Sequence, residues 1–349
     1  MNTSNFGKNV FIEIFGGSHE EFIGVKIKRL PGNLDIDMDR LQKFVDRRAP
    51  GNSPFTSPRK EPDTIIKQSD DPLTFIIQNK DKRSSDYDLS VPRPGHCDFP
   101  AIIKYGNEID LSGGGPFSGR MTAPLAIAGG IAIQYLEKRG VHIGSHIYSI
   151  GEIVDDPLNL IHPEHSKIDD IYFPVLNNKR GEEMKNLITT IKSQNNSVGG
   201  IIEAWVTGLP VGLGGPMYHG VESILAPILF GIPAVKGLEF GLGFKSSKLL
   251  GSENNDPYII EQNKIVTPSN NHGGILGGLT TGMPLIAKVA FKPTPSIGQR
   301  QQSVNLKTMT PEILEIKGRH DPCIVPRAIP VVEGAIAIGL LDLFCEREK

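Results

Sequence analysis

Glycine and proline interrupt this chain throughout its length, 39 and 27 of them in 349 residues, and that spread limits what it can fold into. Each interruption implies a tight turn or a close backbone approach, so the chain is cut into many short elements rather than a few long ones. No linker separates two regimes of composition, and residues 1–349 are expected to form a single large domain. Strand and helix signals do not alternate regularly. The expectation is therefore α+β, with large antiparallel sheets and buried helices, rather than a doubly wound parallel sheet.

Hydrophobic residues at 38% and charged residues at 22% are enough for a packed core. A formal net charge of -2 argues against a general nucleic-acid binder, which needs a basic surplus. Cys97, Cys323 and Cys345 are odd in number and widely spaced, so they indicate no disulfide framework and fit a reducing cytoplasm. The first residues lack the basic, apolar and small-residue succession of a signal peptide. The most apolar stretches are 123–136 and 328–344. The first is too short to span a bilayer and the second carries Glu333 and Asp342, so both are expected to be buried helices in a protein that does not enter the membrane.

Alternation predicts strands at 11–15, 24–30 and 73–78. A helix is expected after Asp37, ending near Arg47, Arg48 and Pro50. Further helices are expected at 122–140, with Gly140 as its stop, at 184–194, at 221–229 with a bend or end near Pro227, and from near Val331 to Phe344. Residues 51–63 and 81–98 are expected to be polar loops. The segments 199–210 and 273–284 share a double glycine followed by Thr-Gly-x-Pro, which either a structural repeat or chance would give.

No phosphate-binding GxxxxGK(S/T), no GxGxxG after a strand and no HExxH occur. His142 with His146, and His162 with His165, have metal-like spacings, but no cysteine or acid completes either set, and packing or surface histidines are expected instead. Five clusters combine turn residues with polar ones: 15–19 (FGGSH), 47–63, 93–98 (RPGHCD), 113–124 (GGGPFSGRMTAP) and 318–323 (GRHDPC). Arg48, Arg93, Arg120 and Arg319 each neighbour a glycine or proline turn, and arginine's planar fork suits carboxylate or phosphate. The glycines 113–115 precede a helix whose first amides can bind an anion or a cofactor carbonyl. His19 and His96 can transfer protons near neutral pH, and Asp321, between His320 and Pro322, is a candidate base or orienter. Together these residues describe a site for an anionic ligand.

The blocks 93–98, 104–106 (KYG), 233–241 (PAVKGLEFG), 292–297 (KPTPSI) and 318–323, in this order, resemble the chorismate synthase family from Phe15 to about Leu343. The resemblance implies a β-α-β sandwich, a homotetramer and the elimination of phosphate from 5-enolpyruvylshikimate 3-phosphate to give chorismate, with reduced FMN required although no net redox change occurs. It implies that the flavin lends electron density to the substrate as phosphate leaves. NADPH enters only as an external or intrinsic reductant of that flavin, and a separate flavin reductase is the implied partner otherwise. By position, His19 acts on the reduced flavin, His96 assists the departing phosphate, and Asp321 acts in proton removal. Ser18, Arg48, Arg120 and Arg319 are the implied substrate contacts. Ser118, Ala234, Gly277, Lys292, Pro293, Thr294, Pro295, Ser296 and Arg319 are the implied FMN contacts, with Lys292 balancing its charge.

The chain departs from the family pattern in four places. Gly17 stands where an acid is usual and Glu20 where a glycine is; Pro116 and Phe117 replace an arginine and a serine beside the flavin. Pro54 replaces an arginine and Asn196 an aspartate. These changes bear on flavin affinity and leave a second reading, a non-catalytic relative that binds flavin or an anionic metabolite. A third, a histidine-based metal hydrolase, would be excluded by metal analysis.

Overall fold

The computed structural model describes residues 3–32, 34–51, 55, 62–79, 89–106, 108, 110–165, 168–316 and 321–347. The chain opens with β1 (Thr3–Phe6), β2 (Phe11–Gly16) and β3 (Phe22–Lys28). It passes through α1 (Met38–Asp46) and returns as β4 (Ile66–Asp70) and β5 (Leu73–Gln78), giving an antiparallel sheet in the order β1-β2-β3-β5-β4. Asp37 caps α1 by accepting from the Arg40 amide at 2.9 Å. Helices α2 (Asp98–Tyr105) and α3 (Thr122–Glu137) follow, then β6 (His142–Ile150), β7 (Ile153–Val154), α4 (Asn178–Ser193), β8 (Gly200–Thr207), α5 (Val221–Phe230) and β9 (Val235–Phe240). A short helix, α6 (Gly251–Asn254), and two hairpins, β10 (Ile259–Glu261) with β11 (Lys264–Val266) and β12 (Ile275–Leu276) with β13 (Leu279–Thr280), precede β14 (Leu285–Phe291). The second sheet runs β7-β6-β8-β14-β9, again antiparallel throughout. A hairpin of β15 (Gln301–Asn305) and β16 (Thr310–Leu314) leads to the last helix, α7 (Val325–Arg347).

Helices apolar on every side are stable only when enclosed, and α3 and α7 lie between the two sheets. The first packs on β2, β3 and β5, the second on β6 and β8, and each packs on the other. A Cβ on Gly129 would come within 2.2 Å of the Gly334 Cα, so the helices cross at backbone contact and glycine is required there. The two acids of α7 serve as internal acceptors. Glu333 takes both arms of Arg47 at 2.7 and 3.1 Å and the Ser145 hydroxyl at 2.7 Å, while Asp342 takes the amides of Asn9 at 2.6 Å and Val10 at 2.8 Å. Arg47 therefore answers Glu333 rather than merely the dipole of α1. Although α7 is long and apolar enough to cross a membrane, its apolar stretch is wholly buried in the protein. The layering is the expected sheet–helix–sheet sandwich.

Several boundaries differ from the sequence reading. Helix α7 begins at Val325 rather than near Val331, because Pro330 falls early enough that the carbonyl it leaves unbonded is Pro326's, still in the first turn. Helix α4 starts at Asn178, where Asn177 accepts from the Lys179 and Arg180 amides. Its polar first turn hides the start from an apolar period. Helix α5 continues through Pro227 to Phe230. The loop expected over 81–98 ends in the first residue of α2; residues 80–88 lie outside the described ones, as do most of 51–63, Pro54 included. The repeated letters of 199–210 and 273–284 share a left-handed glycine, Gly208 at φ 78° and Gly282 at φ 86°, but not the elements before it. The first carries β8, whereas Gly277 and Gly278, at φ 60° and 83°, turn the second into the β12–β13 hairpin where Glu203 and Ala204 run straight.

Candidate active site

The turn after β2 carries Ser18 and His19, and the glycines before α3 lie against it. Ser18 donates to the Ser112 carbonyl at 2.9 Å, and a Cβ on Gly113 would fall 2.2 Å from His19 Cε1. On the next residue, a Cβ on Gly114 would sit 3.4 Å from His96 Nε2 and 3.5 Å from the Ser118 Cβ. The two glycines, at φ 60° and 94°, thus run as bare backbone between two imidazoles. Ser118 also accepts from the Arg120 amide and so starts the turn into α3.

From His96 the contacts continue to the α2 end of the site. His96 Nδ1 lies 2.6 Å from Asp98 Oδ1, and Arg93 forks onto the same carboxylate through Nε at 2.7 Å and NH2 at 2.8 Å. Burial opposes ionisation of Asp98, yet the bonds from Arg93 and His96 hold it well below the usual carboxylate range. Arg93 NH1 donates to Ser296 Oγ at 3.2 Å, which leaves the serine's own proton for another acceptor. Lys292 Nζ donates to the Gly95 carbonyl, and the Pro295 Cβ would lie 3.5 Å from a Cβ on Gly95. The Lys292 amide bonds the Ala234 carbonyl at 3.0 Å; Ala234 itself has φ 75°, a conformation that favours glycine. Pro293 approaches within 3.1 Å of where a Gly199 Cβ would be. Thr294 donates its hydroxyl to the Asp321 carbonyl at 2.7 Å, so that proton is spent within the protein.

Asp321 then leads to the arginines. Its Oδ2 accepts from Arg327 NH1 at 2.7 Å, and Arg327 Nε donates to the Arg48 carbonyl at 3.0 Å. Arg48 is 3% exposed. Its Nε bonds Thr122 Oγ1 at 3.1 Å, NH1 bonds Asp63 Oδ2 at 2.7 Å, and NH2 bonds the Gly119 carbonyl at 2.9 Å. Asp63 Oδ1 accepts from Arg120 NH1, and Arg120 Nε donates to Asn79 Oδ1 at 3.0 Å. Asn79 in turn donates to the carbonyls of Gly17 and Glu20, back at the turn that holds His19. The contacts form a closed circuit. Burial, outweighing Asp63 and reinforced by the neighbouring Arg327 and Arg120, pushes the Arg48 guanidinium down to about 10, still cationic at neutral pH. Burial works against the Asp63 carboxylate too, but Arg48 and Arg120 hold it below the ordinary range.

One expected residue among the described ones, Gly277, is not in this circuit. Gly277 lies in the β12–β13 turn, whose next residue accepts from the Val221 amide at the start of α5. Arg319 lies outside the described residues. The paired histidines separate: His142 is exposed, while His146 is fully buried between Asp155 at 3.0 Å and Glu203 at 2.9 Å. His162 and His165 are exposed and stack on each other at 5.2 Å. Of the substituted positions, Phe117 packs at 6.1 Å against Tyr105. The Glu20 carboxylate folds over Gly17, 3.2 Å from where a Cβ there would lie.

Sequence reasoning assigned no role to Asp63, Asn79, Asp98 or Arg327. Asp63 and Asp98 close two of the polar blocks, and an acid at the end of an arginine-bearing turn is a signal for its counter-ion. Arg327 lies among apolar residues, where a lone charge implies a buried partner. The earlier helix start conceals it from a periodicity reading.

In the described part of this circuit, five cations (Arg48, Arg93, Arg120, Arg327 and Lys292) face three carboxylates (Asp63, Asp98 and Asp321). That excess favours an anion. The bare turn at Gly113 and Gly114, Lys292 and the Ser296 hydroxyl fit the planar ring and phosphate of a flavin nucleotide, the Gly114 amide itself being spent on the Leu111 carbonyl at 2.9 Å.

Residues 10–345 match the family model described as chorismate synthase. The chain is 44% identical to the chorismate synthase of Lancefieldella parvula, over 98% of this chain and 96% of that protein. It is 43% identical to that of Pyrococcus abyssi, over 96% of each. A crystal structure of a chorismate synthase superposes with a TM-score of 0.76 at 25% identity, covering 98% of this chain and 93% of that one. Motif order, fold and full-length similarity agree: this chain belongs to the chorismate synthase family.

Proposed function

We propose that the protein is an active chorismate synthase, a carbon–oxygen lyase that eliminates phosphate from 5-enolpyruvylshikimate 3-phosphate in the presence of reduced FMN. The observation that carries this is the closed circuit, which brings two imidazoles, a carboxylate and a cationic lining together around a bare glycine backbone. A merely anion-binding relative would need the cations but not two histidines set on either side of one turn.

The substrate carries two carboxylates and a phosphate. Arg48 and Arg120, both anchored on Asp63, supply fixed positive charge for them. Arg319 and Ser18 are assigned to the same anion. His96 donates a proton from Nε2 to the departing phosphate oxygen. Asp321, its plane fixed by Arg327, receives the ring proton removed from the far end of the allylic system. When bound, reduced FMN supplies electron density that eases the loss of phosphate. His19 holds a proton at the face of the site lined by Gly113. Ser118, Ala234, Gly277, Pro293, Thr294, Pro295 and Arg319 are assigned to the flavin, with Lys292 and Ser296 at its negative groups.

Assembly as a homotetramer is part of this reading, supported by the exposed apolar side chains Phe244, Leu250, Tyr258, Ile260 and Ile265. So is residence in the cytoplasm, supported by three free cysteines, of which Cys323 has its thiol pushed up to about 12 by burial and is inert. NADPH, or a separate reductase, supplies the reduced flavin.

The test compares wild type with His96→Ala under anaerobic conditions with chemically reduced FMN. The variant is expected to keep its fold and lose about 10²–10⁴ in turnover. Unchanged turnover would remove His96 from the chemistry.

A further inference from the structure

We infer that Asp98, gripped by Arg93, is the positioning residue that selects the working nitrogen of His96. The inference rests on His96 Nε2 as the proton donor to the departing phosphate.

The assignment follows from what each group can donate. Asp98 is buried and accepts four hydrogen bonds: from the Arg93 amide at 3.0 Å, Arg93 Nε at 2.7 Å, Arg93 NH2 at 2.8 Å and His96 Nδ1 at 2.6 Å. A carboxylate held by a guanidinium fork can only accept. Nδ1 must then carry the proton. Arg93 NH2 also lies 3.1 Å from Nδ1, but a guanidinium only donates, and Nδ1 cannot accept from it while donating to Asp98. The shorter contact to the charged acceptor decides, and NH2 is served by Asp98 Oδ1.

With Nδ1 keeping its proton on Asp98, Nε2 is the atom that exchanges one with substrate: the ring donates as the imidazolium, gives the Nε2 proton to the departing phosphate, and is left as the neutral Nδ1–H form. It faces Gly114, whose missing side chain keeps that approach clear: a Cβ there would stand 3.4 Å from Nε2. The same Arg93 reaches Ser296 through NH1 at 3.2 Å. One guanidinium thus joins the proton donor to the segment assigned to the flavin. Anything that pulls on Ser296 is felt at the carboxylate that sets the ring. In purely structural terms Arg93 and Asp98 would need only each other; the short bond to His96 and the link to Ser296 are surplus to that.

The experiment reads the tautomer directly. In wild-type protein with ¹⁵N-labelled histidine, at a pH where the ring is neutral, His96 is expected to hold its proton on Nδ1. Asp98→Asn can turn its amide N–H toward Nδ1, which moves the proton of the neutral ring to Nε2 and takes away the carboxylate that accepts the Nδ1 proton of the imidazolium, the form that gives up a proton. That variant is expected to lose about 10²–10⁴ in kcat with KM little changed and substrate still bound. Arg93→Lys keeps the charge but not the fork, and is expected to give a mixed tautomer and an intermediate kcat. A wild-type ring protonated on Nε2 overturns the inference even if neither variant folds. So does an Asp98→Asn protein with wild-type kcat when His96→Ala is inactive. Full activity of His96→Ala is the distinct failure, since it removes the role of His96 whatever the tautomer.

Discussion

Replacing Asp63 by asparagine should destabilise the protein by about 4 kcal/mol at pH 7. The carboxylate is wholly inaccessible, with Arg48 at 2.7 Å on one oxygen and Arg120 on the other. Removing one partner of a buried pair costs about 3–5 kcal/mol, because the other charge is left uncompensated. Here two cations lose a shared counter-ion, which raises the cost. Arg48 keeps Thr122 and the Gly119 carbonyl, and Arg120 keeps Asn79, which lowers it. The middle of the range follows, a large share of the roughly 5–15 kcal/mol that domains have in total. Urea unfolding measures it as a lower midpoint at unchanged slope. The pH dependence carries the sign. Asp63 has its folded pKa depressed, so its stabilisation is complete above the unfolded value of about 3.9 and is lost as pH falls through the folded value. Wild type and variant should therefore differ fully at neutral pH and converge in acid. A loss below about 1 kcal/mol at pH 7, the size of an ordinary substitution, would refute the reasoning. A gap that persists unchanged into strong acid would also refute it.

Two further perturbations test other parts of the fold. His146 bridges Asp155 and Glu203, and although burial opposes it those carboxylates raise its pKa. Its contribution is thus complete below about 6.5 and fades as pH rises through the folded value. His146→Phe should lose most stability in mildly acidic buffer and progressively less at higher pH, and a pH-independent loss in thermal melts would contradict this. Gly17→Glu should be destabilising alone, through contact and like charge with Glu20, and should be relieved in the Gly17→Glu, Glu20→Gly double variant. A coupling below about 0.5 kcal/mol in that cycle would show that the two positions do not share the space.

The frame of the fold is legible in the sequence because its core helices are apolar over whole turns and its first strands alternate cleanly. The helix starts were less so. Residues 178–180 are helical through the Asn177 cap rather than through any apolar stripe, and 325–330 are helical despite two prolines because both fall where the carbonyls they leave unbonded lie at the helix start. At the site, residues in glycine or proline blocks announced themselves, as His19, His96, Arg48, Arg120 and Asp321 did. Their supports did not. Asn79 ends a strand with nothing local to mark it, and only the closure of β5 beside the 17–20 turn brings its amide to Gly17 and its carbonyl to Arg120. Likewise Arg327 meets Asp321 six residues back, across the start of α7, and Arg48 only through the tertiary fold.

The most direct measurement is anaerobic turnover of 5-enolpyruvylshikimate 3-phosphate by wild-type protein, with chorismate followed by absorbance and phosphate by release. Equal amounts of both products are expected with chemically reduced FMN and neither with oxidised FMN. No product at saturating substrate and reduced flavin would contradict this and leave an anion-binding protein without the lyase activity.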